Sequence, residues 1–283
     1  MQLRLPVNPR LCNEDNACGI AVSGITHCRN TETTLEKSPC DLDVVDSRIL
    51  ESYKRTNKEG KPVMTGVRTG MVADVEPGSY NITDLAVFND LPPITPKYVA
   101  VKGVTWNSSG VPNRSGRVVF PADFDGKLPV EVATNEYLAY YGAALANRNP
   151  ERVFLKYRHC VQDITYHHDY LEAYVTSETA LGGAGIERHD FAHLDCPLED
   201  DSGTFIIAKH SDDGEELHIT GFKIPTRHTL YLPGGVIHSN DYLRGTWRTM
   251  LSDEAEIDHV QLVRQNKKGK VEEFEKFTFT FQS

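Results

Sequence analysis

A chain of 283 residues with 39% hydrophobic, 25% charged and 9% aromatic residues has the composition of a soluble globular protein, long enough for one large core or two modest ones. Its net charge of −10, with Lys267-Lys-Gly-Lys270 as the densest basic cluster, excludes nucleic acid and an anionic membrane surface as main partners. Met1 to Arg10 lack the apolar segment of a signal peptide, and no run reaches the roughly 18 apolar residues of a membrane span, so a cytoplasmic location is expected.

Residues 1–45 are polar and aperiodic and hold Cys12, Cys18, Cys28 and Cys40, without the close pairing of a zinc knuckle. Together with Cys160 and Cys196 they are expected to be reduced thiols. In a secreted protein they would instead form disulfides, and Asn81-Ile-Thr83, Asn107-Ser-Ser109 and Asn113-Arg-Ser115 would be glycosylation sequons.

Val45, Ile49, Leu50 and Tyr53 predict a short helix over Asp43–Lys58, ended by Gly60 and Pro62. Strands are predicted at Val63–Val75, Tyr98–Trp106 and Arg117–Phe120, a texture that also allows a degenerate second barrel around Val63–Pro121. The apolar stripe Tyr137, Leu138, Tyr141, Ala144, Leu145 predicts a helix over Asn135–Asn147.

Beyond Pro150 the pattern is uniformly β. Strands are predicted at Val153–Tyr157, Tyr170–Thr176, Ile186–Asp195, Thr204–Lys209, Leu217–Lys223, Thr229–Leu232, Val236–Ser239, Thr246–Leu251, His259–Arg264 and Phe274–Phe281. Short strands at regular spacing with Gly- and Pro-bearing turns predict a mainly β fold, a sandwich or small barrel over 151–283 with 1–150 as irregular, β and short helical decoration.

Ten of the eleven histidines lie between His159 and His259. Most have ordinary explanations on strands and turns: His159, His167, His168, His210, His218, His228 and His259 form no pattern. Glu187, His189, Phe191, His193 and Asp195 differ, because alternate residues of one extended strand share a face. Neighbours at i and i+2 lie roughly 6.6 Å apart and can share an ion, whereas His189 and His193 would be roughly 13 Å apart on a straight strand. Two ligand triads therefore compete, Glu187-x-His189 with His238 and His193-x-Asp195 with His238. The second has the form of a 2-His-1-carboxylate facial triad, which leaves one face of an octahedron open for oxygen or a chelating substrate. Arg248, past the Gly245 turn, is placed to clamp a carboxylate bidentately.

These residues resemble the double-stranded β-helix enzymes, the cupins and the related Fe(II)/2-oxoglutarate oxygenases. Pro233-Gly-Gly-Val-Ile-His238 followed by Asn240 resembles the second cupin motif, whose histidine binds metal. His193-x-Asp195 with Glu199 matches the first motif imperfectly, Asp standing where a second His is usual. In the oxygenase branch the order His-x-Asp, distal His, then Arg is met by His193, Asp195, His238 and Arg248, though the interval from Asp195 to His238 is short. The resemblance covers Gly185 to Leu251.

It implies a jelly-roll barrel and a non-haem Fe(II) oxygenase or dioxygenase acting on a small polar molecule, with 2-oxoglutarate as a candidate co-substrate on Arg248. His193, Asp195, His238 and, in the competing triad, His189 are the candidate metal ligands. The alternative is a cupin isomerase, epimerase or lyase using Zn, Ni or Mn, with Tyr231, Glu187 or His189 as acid–base groups. A non-catalytic cupin used for binding is the third reading. A homodimer is one assembly the sequence allows.

Overall fold

The structure, a computed structural model, describes residues 33–34, 49–69, 74–75, 78–81, 93–111, 114–146, 152–155, 157–178, 182–252, 257–266 and 274–282. Most of the polar arm over 1–45 and the basic cluster at 267–270 lie outside these. No helix among the described residues is long and apolar enough to cross a membrane.

The protein is mainly β. Nine strands of the C-terminal half carry the architecture: β1 His159–Tyr166, β2 Gly185–Arg188, β3 His193–Pro197, β4 Phe205–His210, β5 Glu216–Lys223, β6 Thr229–Leu232, β7 Ile237–Ser239, β8 Gly245–Leu251 and β9 Asp258–Gln265. They are divided between two sheets, successive strands changing sheet except β4 and β5, which pair with each other. An eight-stranded sheet runs Ala144–Ala146, β6, β3, β8, β1, Pro62–Thr69, Ile49–Thr56, with Asp74–Val75 beside β1. An eleven-stranded sheet contains β5, β4, β7, β2 and β9 in that order, extended by Lys127–Val132 and Thr280–Gln282 at one end and Gly116–Phe120 and Thr105–Asn107 at the other. Val99–Lys102 pairs with β5 and Phe274–Lys276 with β9. Strands from before and after residue 150 thus share both sheets.

The pleat decides which side chains enter the space between the sheets. Across β3, β8 and β1, Leu194 pairs with Met250 and Met250 with Val161; Cys196 pairs with Arg248 and Arg248 with Asp163. Registered partners in an antiparallel pair share a face and successive residues alternate. Trp247, Leu251, Ile164, Tyr166, Leu230 and Leu232 therefore lie on one face, with His193 and Asp195, and these apolar members join the main core. Leu194, Met250, Val161, Tyr231, Cys196 and Arg248 occupy the other face, also buried yet outside that core cluster.

Local chemistry explains where the sequence expectations fail. The helix expected over Asp43–Lys58 is the strand Ile49–Thr56, paired with Pro62–Thr69 through a turn in which Asn57 Oδ1 accepts from the Glu59 and Lys61 amides at 3.1 and 2.9 Å. The Asn side chain satisfies a turn and cross-strand pairing overrides the helical stripe. The helix at Asn135 starts where Thr134 caps the Tyr137 amide, but it stops at Ala139. Gly142, at φ +75°, then turns the chain into strand Ala144–Ala146 on the edge beside β6. The strand expected at Tyr170–Thr176 is a single π-helical turn, Leu171–Val175. Strand β1 was not anticipated, since its mixed sequence His-Cys-Val-Gln-Asp-Ile-Thr-Tyr has one polar residue on the inner face and one apolar residue on the outer. Cys196 is disulfide-bonded, which corrects the expectation of reduced thiols throughout.

Trp247 anchors the interior from β8: it is 1% exposed, its Nε1–H donates to the Arg244 and Ser202 carbonyls at 3.0 and 3.2 Å, and its ring centroid lies 6.0 Å from that of Phe205 on β4. Replacing it with Ala is expected to cost about 3–5 kcal/mol, through lost contacts and the cavity left behind. Urea unfolding monitored by far-UV circular dichroism measures this, and a loss under about 1 kcal/mol would show that Trp247 does not bridge the sheets.

Candidate metal centre

The stretch expected as one strand, Ile186–Asp195, is two strands in different sheets. β2 ends at Arg188, the chain bends through His189 to Ala192, and β3 begins at His193. The bend cancels the 13 Å separation expected for a straight strand: the rings of His189 and His193 stack with centroids 4.5 Å apart. His238, on β7, pairs in register with Glu187 on β2 and completes the group. One ligand nitrogen from each of His189, His193 and His238 lies within 4.8 Å of the others, and all three residues are buried.

Each imidazole is held by one nitrogen and presents the other. His189 Nδ1–H donates to the Phe191 carbonyl at 2.9 Å, and His238 Nδ1–H donates to the Val236 carbonyl at 3.0 Å. A carbonyl only accepts, so these rings carry their proton on Nδ1 and a lone pair on Nε2. His193 Nδ1 faces Asp195 Oδ2 at 3.3 Å. The three Nε2 atoms are buried and have no hydrogen-bond partner among the described residues. An unmade hydrogen bond at a buried polar atom costs about 1–3 kcal/mol, so three in one place are an unfavourable arrangement for a core. It is the arrangement that a divalent metal satisfies, with the Nδ1 contacts fixing ring orientation.

Electrostatics agree. Burial holds the His189, His193 and His238 pKa values below the ordinary histidine value; at His189 and His193 mutual repulsion with neighbouring imidazoles adds to the depression, while at His238 the Val236 bond and Asp195 oppose it. The rings are therefore neutral and ligating near neutral pH. Burial raises Asp195 to about 7 against the pull of His238.

The other expected site residues divide by face. Asp195 lies beside His193 but is not part of the converging group; it supports the Nδ1 side of the ring. Glu187, 2% exposed, stands with its Oε1 3.7 Å from His238 Nε2. Arg248 does not face the cluster. It lies on the opposite side of the sheet, where Nε and Nη2 clamp Asp163 at 2.7 and 2.9 Å. Tyr231 pairs with Leu194 and shares that opposite side, so it too is turned away from the imidazoles. Their position along the chain is as expected, but each is one residue out of phase, which reverses the face.

Two loops lock the centre together, and sequence reading caught only one of them. The Pro233-Gly-Gly235 turn seats on the His189 bend: the Gly235 amide donates to the His189 carbonyl at 2.7 Å, and a Cβ at Gly234 would stand 2.5 Å from the Asp190 carbonyl oxygen. Gly235 has φ +93°, a conformation that favours glycine. His159, unremarkable in sequence, holds the far side of the same bend, its Nε2 2.8 Å from the Ala192 carbonyl. Phe191 stacks on His189 with centroids 3.6 Å apart.

Comparison with protein-family models, curated proteins and solved structures finds no match to this chain.

Gly234→Ala is expected to weaken Zn²⁺ or Co²⁺ binding by about 10–100-fold, the range for groups that orient ligands, while the circular dichroism spectrum is retained. Competition against a chromogenic chelator reads this, and unchanged affinity would refute the docking role. In metal-free protein, the unfolded chain takes up protons below about pH 6.5 that the buried histidines refuse. Stability contributed by these three groups is therefore full above that pH and is lost as pH falls. Asp195 acts in the opposite sense, its contribution being lost as pH rises from the ordinary carboxyl value of 3.8 through about 7. Thermal melts from pH 5 to 6.5 are expected to rise, three sites outweighing one, with a shallower slope in His238→Ala.

Proposed function

We propose that this protein is a metal-dependent enzyme on a double-stranded β-helix, most consistent with an Fe(II) oxygenase that acts on a small polar molecule. The fold reading is supported by the strand order β6-β3-β8-β1 in one sheet and β5-β4-β7-β2 in the other, the order a double-stranded β-helix would have. The observation that carries the function is the convergence of one ligand nitrogen each from His189, His193 and His238, whose Nε2 atoms are buried and without a hydrogen-bond partner among the described residues.

Three neutral nitrogen ligands leave coordination positions for substrate or oxygen and do not neutralise the ion's charge. Bound Fe(II) would supply oxygen binding and activation. The chain's own groups do the rest. The Phe191 and Val236 carbonyls and Asp195 fix the rings, and Phe191 and Phe205 shield them from water, the latter ring lying 6.0 Å from His238. Glu187 offers a carboxylate beside the cluster that can add a fourth ligand or hold a substrate proton at Oε1. Since Arg248 is committed to Asp163 on the other face, the proposal does not invoke 2-oxoglutarate. The Cys196 disulfide favours an oxidising compartment over the cytoplasm.

A second reading has one observation in its favour, the position of Glu187. With Zn, Ni or Mn as Lewis acid, Glu187 would be the acid–base group of an isomerase, epimerase or lyase.

Nitric oxide, an oxygen surrogate, separates the readings. Protein loaded anaerobically with one equivalent of Fe(II) is expected to give a high-spin iron–nitrosyl electron paramagnetic resonance signal. His193→Ala and His238→Ala should lose it, and Arg248→Ala should keep it per folded molecule. Loss of the signal in Arg248→Ala alone would restore the anion-anchor role. Iron that binds without accepting nitric oxide would favour the Lewis-acid reading.

A further inference from the structure

Unlike Arg248, Arg55 is turned toward the interior, and the metal centre does not use it. Arg55, on the strand Ile49–Thr56, is in register with Met64, and Met64 with Tyr166. Met64 and Tyr166 belong to the core, so the pleat turns Arg55 toward the same interior face, and the residue is only 4% exposed. Its Nε and Nη2 are buried and meet no hydrogen-bond acceptor among the described residues. A guanidinium is permanently charged, and a buried charge without a partner is strongly unfavourable, which is why buried arginines are paired. Nε and Nη2 form the edge of the fork that grips two oxygens of one oxyanion. Arg248 shows that grip in this same sheet, holding Asp163 through the same two atoms at 2.7 and 2.9 Å. Arg55 presents the same edge to the interior.

We propose that Arg55 is a buried oxyanion-binding site, taking a carboxylate or phosphate group bidentately through Nε and Nη2. It is distinct from the metal centre. Tyr166 pairs with Gly245 at one end of β1 and β8, whereas His193 lies toward the other end, where Cys160 pairs with Leu251. Six residues of strand separate those levels, roughly 20 Å. An anion there neutralises a charge that would otherwise oppose packing of Ile49–Thr56 onto the barrel.

The test is thermal unfolding of the full chain in inorganic phosphate and, separately, in acetate, at constant ionic strength set with chloride. Phosphate or acetate at a hundred times its Kd is expected to raise the Tm by about 5–10 °C. The arm that responds identifies the oxyanion. Arg55→Met should respond to neither and, without added anion, should melt at or above the unmodified protein, since the uncompensated charge is gone. Arg55→Lys keeps the charge but not the fork, so its response should be at least tenfold weaker in apparent affinity. Should Arg55→Met fail to fold, the lysine variant and broadening of the ³¹P resonance of phosphate by the unmodified protein decide the matter. Equal shifts in the unmodified protein and Arg55→Met would overturn the proposal as a general salt effect. No shift with either anion, accompanied by a lower melting Arg55→Met, would overturn it in favour of an internal carboxylate partner.

Discussion

The pleat of the eight-stranded sheet is the constraint on which the rest depends. Both faces of β3, β8 and β6 are buried, so hydropathy alone does not say which residues look inward. Register does. Once Asp195 stands opposite Thr249 and Leu230, His193 is committed to the interior, and Arg248 and Tyr231 are committed to the reverse side. A shift of one residue would exchange the two sets, exposing the imidazoles to the wrong packing and bringing a guanidinium into the core. The apolar residues Trp247, Leu230, Leu232 and Leu251 hold this register because only one phase puts them all in the main cluster.

The centre then requires the two sheets to meet at a point. His193 belongs to one sheet and His238 to the other, with His189 on the bend that joins them. Packed sheets stand about 10 Å apart, a gap that two imidazoles reaching from opposite sides nearly fill. The bend therefore has to be held closely, and three backbone carbonyls do so: that of His189 accepts from Gly235, that of Ala192 meets His159, and that of Phe191 accepts from His189 itself. Glycine at 234 is a spatial requirement here, with Asp190 backbone in van der Waals reach on one side.

Much of this was legible in the sequence. The short strands from Thr204 to Arg264 were visible because Gly- and Pro-bearing turns bracket apolar runs, and Pro233-Gly-Gly-Val-Ile-His238 marked a turn that delivers a histidine. Glu187, His189, His193 and His238 were all recognised as chemically relevant. What could not be read was the break after Arg188. The residues Asp190-Phe-Ala192 carry no glycine or proline, and the bend exists because a distant turn docks on it. That one hidden bend made His189 and His193 look mutually exclusive. Arg55 was hidden for a related reason, since a strand made by pairing was read as a helix made by periodicity.

The treatment of charge in the interior ties these points together. On the reverse face, the buried Arg248 is matched bidentately by the part-exposed Asp163 with registered backbones, which compensates its charge. The imidazoles reach the same end by staying neutral, at the expense of three Nε2 atoms without acceptors or donors among the described residues. At about 1–3 kcal/mol apiece these atoms are a substantial fraction of the 5–15 kcal/mol that typically holds a domain together. Hydrophobic filling of the same space, by leucine in place of each histidine, would be more stable and would leave no site. Metal-free protein is therefore expected to carry this strain as reduced stability, which an ion bound by the three nitrogens would relieve.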